Sequence, residues 1–195
     1  MNAVSPREAG APASQILSDD QNPNAVAGSD PAVLADIYEA ETNIAMWQRS
    51  FSESFQRLVD EFVSSRLQPY LSMICAPKDA RSQLRKALGS AHFSPLADDA
   101  TELIDMFCCL FQLDQVGLRM TVLRDTMCPK FHVDHVPCRM VTTYTGVGTQ
   151  WLPNAVVKRD KLGIGSAGKS DQDSGLYGNE ADIRQMASAD VALLK

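Results

Sequence analysis

The sequence lacks the features of an exported, membrane-spanning or nucleic-acid-binding protein. No stretch of about 18 apolar residues is present, so a transmembrane helix is not expected. A signal peptide would require an apolar segment soon after Met1, and the sequence has none there. The net charge is -6, and an acidic balance argues against binding to phosphate-rich nucleic acid. We therefore expect a cytoplasmic protein without a membrane or nucleic-acid partner, acting on a small molecule or protein that the sequence does not identify.

Histidine is scarce, and the sequence offers neither an export-type cysteine pattern nor a known catalytic motif. The five cysteines are an odd number, which in a chain without an export signal favours reduced thiols over a disulfide framework. No phosphate loop, dinucleotide-binding fingerprint or nucleophile elbow occurs. The chain has three histidines, and two of them lie in the segment CPKFHVDHVPC, residues 128–138. This segment is the main candidate for chemistry in the sequence.

Composition divides the chain into a tail and one domain. Residues 1–30 are rich in small and polar residues and are predicted to form a disordered tail, because they carry too little apolar surface to offset the entropy of ordering. Residues 31–195 are expected to form a single α+β domain, helical over about 31–115 and β-rich over about 116–195. The polar, glycine-rich stretch at about 158–182 is predicted to be a flexible surface loop.

Hydrophobic spacing predicts the individual elements. Apolar residues spaced three and four apart, together with proline and glycine at the ends, predict helices at 31–38, 50–67, 77–88 and 95–113. Alternation with period two, or a short apolar run, predicts strands at 118–123, 138–145, 151–157 and 190–194. The segment NIAMWQR, residues 43–49, fits a helix or a strand.

One hypothesis for the 128–138 segment is a zinc site. Cys128, His132, His135 and Cys138 all carry side chains that bind zinc. Structural zinc usually takes two separated pairs of ligands, whereas these four lie in one stretch that contains two prolines. An extended backbone would also direct His132 and His135 to opposite faces. A zinc-binding protein without catalytic activity is therefore the alternative hypothesis.

A second hypothesis is an iron site. His132 and Asp134 are two residues apart, so an extended segment projects both side chains the same way. An imidazole and a carboxylate are two of the three ligands in the facial triad that holds Fe(II). The ordinary alternative is that both side chains only form hydrogen bonds with nearby backbone. The residues alone leave these possibilities open.

The stretch FHVDHVPCRMVTTYTGVGTQWLP, with NIAMWQR upstream and DVALLK at the end, resembles a bacterial family, domain of unknown function 1826, over about residues 35–195. By association, this resemblance implies a link to zinc homeostasis. The same stretch is similar in layout to Fe(II)/2-oxoglutarate dioxygenases of the double-stranded β-helix type. That similarity implies N-terminal helices packed on a partial, jelly-roll-like barrel, with Fe(II) and 2-oxoglutarate as cofactors.

The similarity also implies roles for particular residues. His132 and Asp134 would be metal ligands, and His135 would be a polar neighbour. The cosubstrate or substrate pocket would be lined by Arg139, Thr143, Tyr144 and Trp151. No histidine follows His135, so the second metal histidine, its basic neighbour and the closing strands of that layout are missing. We expect a truncated or degenerate member whose iron site is incomplete and whose oxygenase activity is absent.

Overall fold

The computed structural model describes residues 24–65, 70–123 and 128–195. In this part of the chain the α-helices are α1 (Glu53–Ser64), α2 (Pro77–Leu88), α3 (Ser94–Phe111) and α4 (Asp171–Ser174). The strands are β1 (Ala25–Gly28), β2 (Ile44–Trp47), β3 (Tyr70–Cys75), β4 (Val116–Thr121), β5 (Arg139–Thr142), β6 (Gln150–Trp151), β7 (Arg184–Gln185) and β8 (Val191–Leu194). Short 3-10 helices occur at Pro31–Tyr38, Ala91–Phe93, Arg159–Lys161, Gly163–Ser166 and Glu180–Asp182.

The residues that the sequence indicates as helix ends form the expected caps on the first helices. The Asp30 side chain accepts a hydrogen bond from the backbone of the 3-10 helix that follows it. Ser52 accepts the N–H of Phe55 at 3.3 Å and begins α1. Pro77 opens α2, and Gly89 ends it with a φ of 77°, a conformation that glycine adopts without a Cβ penalty. The helices at 50–67 and 77–88 were thus predicted in the correct places, and α1 ends slightly earlier than its pattern indicated.

The end of α3 gives a test of local backbone geometry. Gln112 is exposed and has φ 52° and ψ 46°, a left-handed conformation that disfavours any residue with a Cβ. We expect Gln112→Gly to raise the free energy of unfolding by about 1 kcal/mol, measured by urea denaturation. Gln112→Ala keeps the Cβ and should give no comparable gain. A glycine variant less stable than the parent would contradict the left-handed cap.

The C-terminal strand lies in the centre of the main sheet. The order of this four-stranded sheet is β1-β2-β8-β5, with β1 parallel to β2 and β8 antiparallel to both neighbours. Ala192 lies opposite Met46 on one side and Val141 on the other. Two further antiparallel pairs, β3 with β4 and β6 with β7, stand apart from it. Strand β8 therefore pairs along both edges with strands distant in the sequence.

Helix α3 separates two hydrophobic cores. One face packs with α1, α2 and the inner face of β3 and β4, where Leu84 and Ile104 are buried. The other face packs on the four-stranded sheet, where Leu103 lies with Val191 and Leu193. The opposite face of the sheet carries a third cluster, which consists of Met46, Trp151, Met186 and Ala192.

The α+β class is confirmed, whereas the predicted barrel is not. Within the described ranges the strands form open sheets of four, two and two strands, so these residues contain no closed barrel and a double-stranded β-helix or jelly roll is not confirmed. The division into helices and then strands is only approximate, because β1, β2 and β3 precede α3. NIAMWQR forms β2 rather than a helix.

Three other predictions, for a strand, the tail and the surface loop, agree only partly with the structure or are tested only in part. The strand predicted at 151–157 is short, because the backbone turns at Pro153, whose carbonyl accepts from Val156 and Val157. Residues 1–23 of the predicted tail lie outside the described residues. Within the rest of that tail, Ala25–Gly28 form strand β1. The segment 158–182 contains α4 and three 3-10 helices, and its flexibility stays a prediction.

Candidate functional site

The 128–138 segment has no regular secondary structure and leads directly into β5. Within it, Nε2 of His132 lies 3.5 Å from Oδ1 of Asp134. The His132 side chain is 52% exposed and that of Asp134 is 23% exposed. The spacing of two residues thus brings an imidazole nitrogen and a carboxylate oxygen together at the protein surface, as expected for an extended backbone.

Each of these two side chains is held by a further contact. Nδ1 of His132 lies 3.1 Å from the backbone oxygen of Lys130. Because a carbonyl oxygen only accepts, Nδ1 is the donor in this contact, and Nε2 is the nitrogen that faces Asp134. The other oxygen of Asp134, Oδ2, accepts from Nε of Arg139 at 2.8 Å. Metal-binding histidines and carboxylates in proteins are typically oriented by such outer contacts.

The distance between the two side chains matches that of two ligands on one metal ion. Two donor atoms that bind the same metal ion, each about 2.1 Å from it, lie about 3 to 3.5 Å from one another. The observed 3.5 Å between Nε2 and Oδ1 agrees with this spacing. Among the residues that the structure describes, however, no group of three or more His, Cys, Asp or Glu side chains could hold a metal ion. His132 and Asp134 therefore fit two ligand positions, and no third ligand comes from the described residues.

The alternative zinc ligands are not brought together in the described part of the chain. Cys128 and His135 are exposed. Cys138 is half-buried and packs against the core between α3 and the sheet. Burial raises the pKa of the Cys138 thiol, which disfavours the thiolate form that binds zinc.

Of the residues assigned to a pocket by resemblance, Arg139 alone makes an ion pair with the proposed metal ligands. The hydroxyl of Tyr144 instead donates to Asp99 at 2.7 Å. Trp151 is buried in the cluster on the far face of the sheet. The carbonyl of Thr143 accepts a backbone hydrogen bond from the turn before β8. These contacts stabilise the fold, and a pocket role for Thr143, Tyr144 and Trp151 stays a prediction.

Sequence reasoning missed a largely buried ionic cluster beside α3. Arg49 donates to both oxygens of Asp99, at 2.6 and 3.1 Å, and the two side chains are only 11% and 16% exposed. The guanidinium lies 5.0 Å from the ring centres of both Trp47 and Phe51. Burial raises the pKa of the Tyr144 phenol well above its ordinary value, and the Asp99 carboxylate acts in the same direction. Arg49 and Tyr144 lie in the stretches that carried the family resemblance, whereas Asp99 gave no signal within its amphipathic helix.

The same cluster holds the turn before β8. Nε of Arg49 donates to the carbonyl of Ala189 at 2.7 Å. Asp190 is buried and accepts the N–H of Ala187 at 2.8 Å. Burial raises the pKa of the Asp190 carboxyl, while hydrogen bonds from the backbone of Ala187 and Arg49 lower it. Helix α3, the end of β2 and the start of β8 are thus joined through one buried arginine.

Comparison with known proteins defines the family. None of the helices in the described ranges is long and apolar enough to cross a bilayer. No curated protein and no solved structure matches the chain. A family model, described as a protein of unknown function (DUF1826), matches residues 28–195. The chain therefore belongs to the DUF1826 family of proteins of unknown function.

Proposed function

We propose that the chain binds a divalent metal ion through His132 and Asp134. The observation that supports this proposal is the 3.5 Å approach of His132 Nε2 to Asp134 Oδ1, with the opposite polar atom of each side chain held by Lys130 and Arg139. Two protein ligands leave several coordination positions for water or for oxygen atoms of a small molecule. The partial exposure of the pair gives such a molecule access.

The finer proposal is an Fe(II)/2-oxoglutarate-dependent, oxygenase-like function. Its support is the resemblance of the His-x-Asp segment to that class, together with the geometry of the pair. Bound Fe(II) would supply oxygen activation. The residues of this chain would bind and orient the metal: His132 and Asp134 as ligands, and Arg139 by fixing the carboxylate.

Metal titration of the purified, metal-free protein tests the general proposal. Calorimetry with Mn(II), with Zn(II) and, without oxygen, with Fe(II) should show one binding site. His132→Ala and Asp134→Ala should each weaken binding by more than about 10-fold, because each removes a ligand. His135→Ala and His92→Ala are matched controls and should bind like the parent, because neither ring takes part in the 3.5 Å contact. Unchanged affinity in the Asp134 variant would contradict the proposal.

A measurement of succinate formation distinguishes an oxygenase-like function from metal binding without catalysis. Succinate formed from 2-oxoglutarate, dependent on Fe(II) and lost in His132→Ala, would support the oxygenase-like function. Metal binding without succinate would favour a protein that handles metal, including zinc, without catalysis. The two described ligands hold Fe(II) weakly, so the oxygenase-like function predicts slow succinate formation that needs a high Fe(II) concentration and exceeds the level in His132→Ala.

A further inference from the structure

The backbone before His132 is attached to a distant segment of the chain. The ring of Phe131 packs edge-to-face on Tyr177, with ring centres 6.1 Å apart. Nζ of Lys130 donates to Oγ of Ser166 at 3.3 Å and to the carbonyl of Lys169. Residues 130–131 therefore pack against residues 166–177. These lie in the stretch that the sequence predicts to be a surface loop.

A buried carboxylate makes the central contact of this attachment. Oδ2 of Asp171 accepts the backbone N–H of Phe131 at 2.7 Å. Asp171 is only 9% exposed and opens the short helix α4. Its own backbone oxygen accepts from Leu176 at 3.0 Å and from the Ser174 hydroxyl at 2.9 Å, which fixes the residue in a closed turn. A hydrogen bond between a carboxylate and an N–H is among the stronger kinds in proteins.

The peptide bond between Lys130 and Phe131 connects Asp171 to the proposed metal site. This planar unit contains the N–H that Asp171 accepts and also the Lys130 carbonyl that His132 Nδ1 meets. Fixing the N–H therefore fixes the direction of the carbonyl. That carbonyl in turn accepts from Nδ1 and directs Nε2 toward Asp134.

We propose that Asp171 is a positioning residue, which acts through the Lys130–Phe131 peptide to set the ring orientation of His132. The inference rests on the proposed metal-binding function of His132 and Asp134. It assigns a role to a residue 37 positions beyond Asp134 in the sequence, in a segment that carries no recognised motif.

The first test is an NMR measurement on the metal-free protein. Imidazole nitrogen spectra should show a hydrogen-bonded, slowly exchanging proton on Nδ1 of His132 in the parent. Asp171→Asn retains an acceptor oxygen and should keep this bond, whereas Asp171→Ala should let the Nδ1 proton exchange faster with water. Ser174→Ala removes only the hydroxyl bond to the Asp171 backbone and is the matched control for a loosened turn. An equally slow exchange of the Nδ1 proton in folded Asp171→Ala would overturn the inference.

The second test is metal titration of the same variants. Asp171→Ala should weaken metal binding by about 10-fold or more, while Asp171→Asn and Ser174→Ala should stay within about threefold of the parent. If the parent binds no metal, the proposed function fails and this inference fails with it. If the parent binds metal and Asp171→Ala binds equally well, the inference alone is wrong. If Asp171→Ala does not fold, Asp171→Ser replaces it, because the serine side chain is too short to reach the Phe131 N–H.

Discussion

Asp99→Asn is expected to lower the free energy of unfolding by about 3 to 5 kcal/mol, because it removes the carboxylate that pairs with a largely buried arginine. Arg49 is 11% exposed and donates to both Asp99 oxygens, so the neutral amide satisfies only part of the guanidinium. The Tyr144 hydroxyl loses its charged acceptor at the same time. Urea denaturation at neutral pH measures the change.

The neighbouring residue is a matched control for this prediction. Asp98 also pairs with an arginine, Arg85, at 3.0 Å, but the side chains are 38% and 46% exposed. Asp98→Asn should therefore cost less than about 1 kcal/mol, since solvent screens exposed ion pairs. Similar losses for the two adjacent substitutions would contradict the importance of burial at Asp99.

Gly148→Ala is expected to lower the free energy of unfolding by about 3 kcal/mol, through a clash that flexible side chains cannot relieve. A Cβ at Gly148 would lie 2.2 Å from the backbone oxygen of Met186. Met186 is itself held by a hydrogen bond from its N–H to the carbonyl of Thr149 at 3.0 Å. The two chain segments therefore have to move apart, which would disturb the pairing of β6 with β7.

Gly117 gives the matched control for an added methyl group. It lies in β4, and a Cβ there would meet no heavy atom within 4 Å. Gly117→Ala should be neutral or slightly stabilising, because alanine loses less backbone entropy than glycine on folding. Equal stability of the two alanine variants would show that the approach of residues 148 and 186 is not tight in solution.

Local features of the fold could be predicted and long-range pairings could not. The boundaries of α2 follow from Pro77 and Gly89, and the apolar spacing in α1 and α3 indicates their buried faces. Strand β3 was missed because its exposed face carries the large hydrophobic residues Tyr70 and Ile74, which hide the alternation of buried and exposed positions in the sequence. The position of β8 between β2 and β5 depends on pairing with residues far away in sequence. Such a partner choice leaves no trace in local periodicity, so the central position of β8 could not be predicted from the sequence.

The candidate site was predictable where it depends on backbone spacing. The interval between His132 and Asp134 predicts their convergence, and the structure brings the two side chains to 3.5 Å. The hydrogen bond from Arg139 to Asp134 was missed, because resemblance assigned Arg139 to a ligand pocket. The contact of Asp171 with Phe131 joins segments 40 residues apart, so it could not be read from the sequence.

The central claim, that His132 and Asp134 form a metal-binding pair, is tested most directly by imidazole nitrogen NMR during titration with Zn(II) as a diamagnetic divalent probe. The chain has three histidines, so each ring can be followed separately. We predict that Zn(II) shifts Nε2 of His132 while Nδ1 keeps its proton, and that the His92 and His135 rings are unaffected. No shift at His132 under saturating Zn(II), or equal shifts of all three rings, would contradict the proposed site.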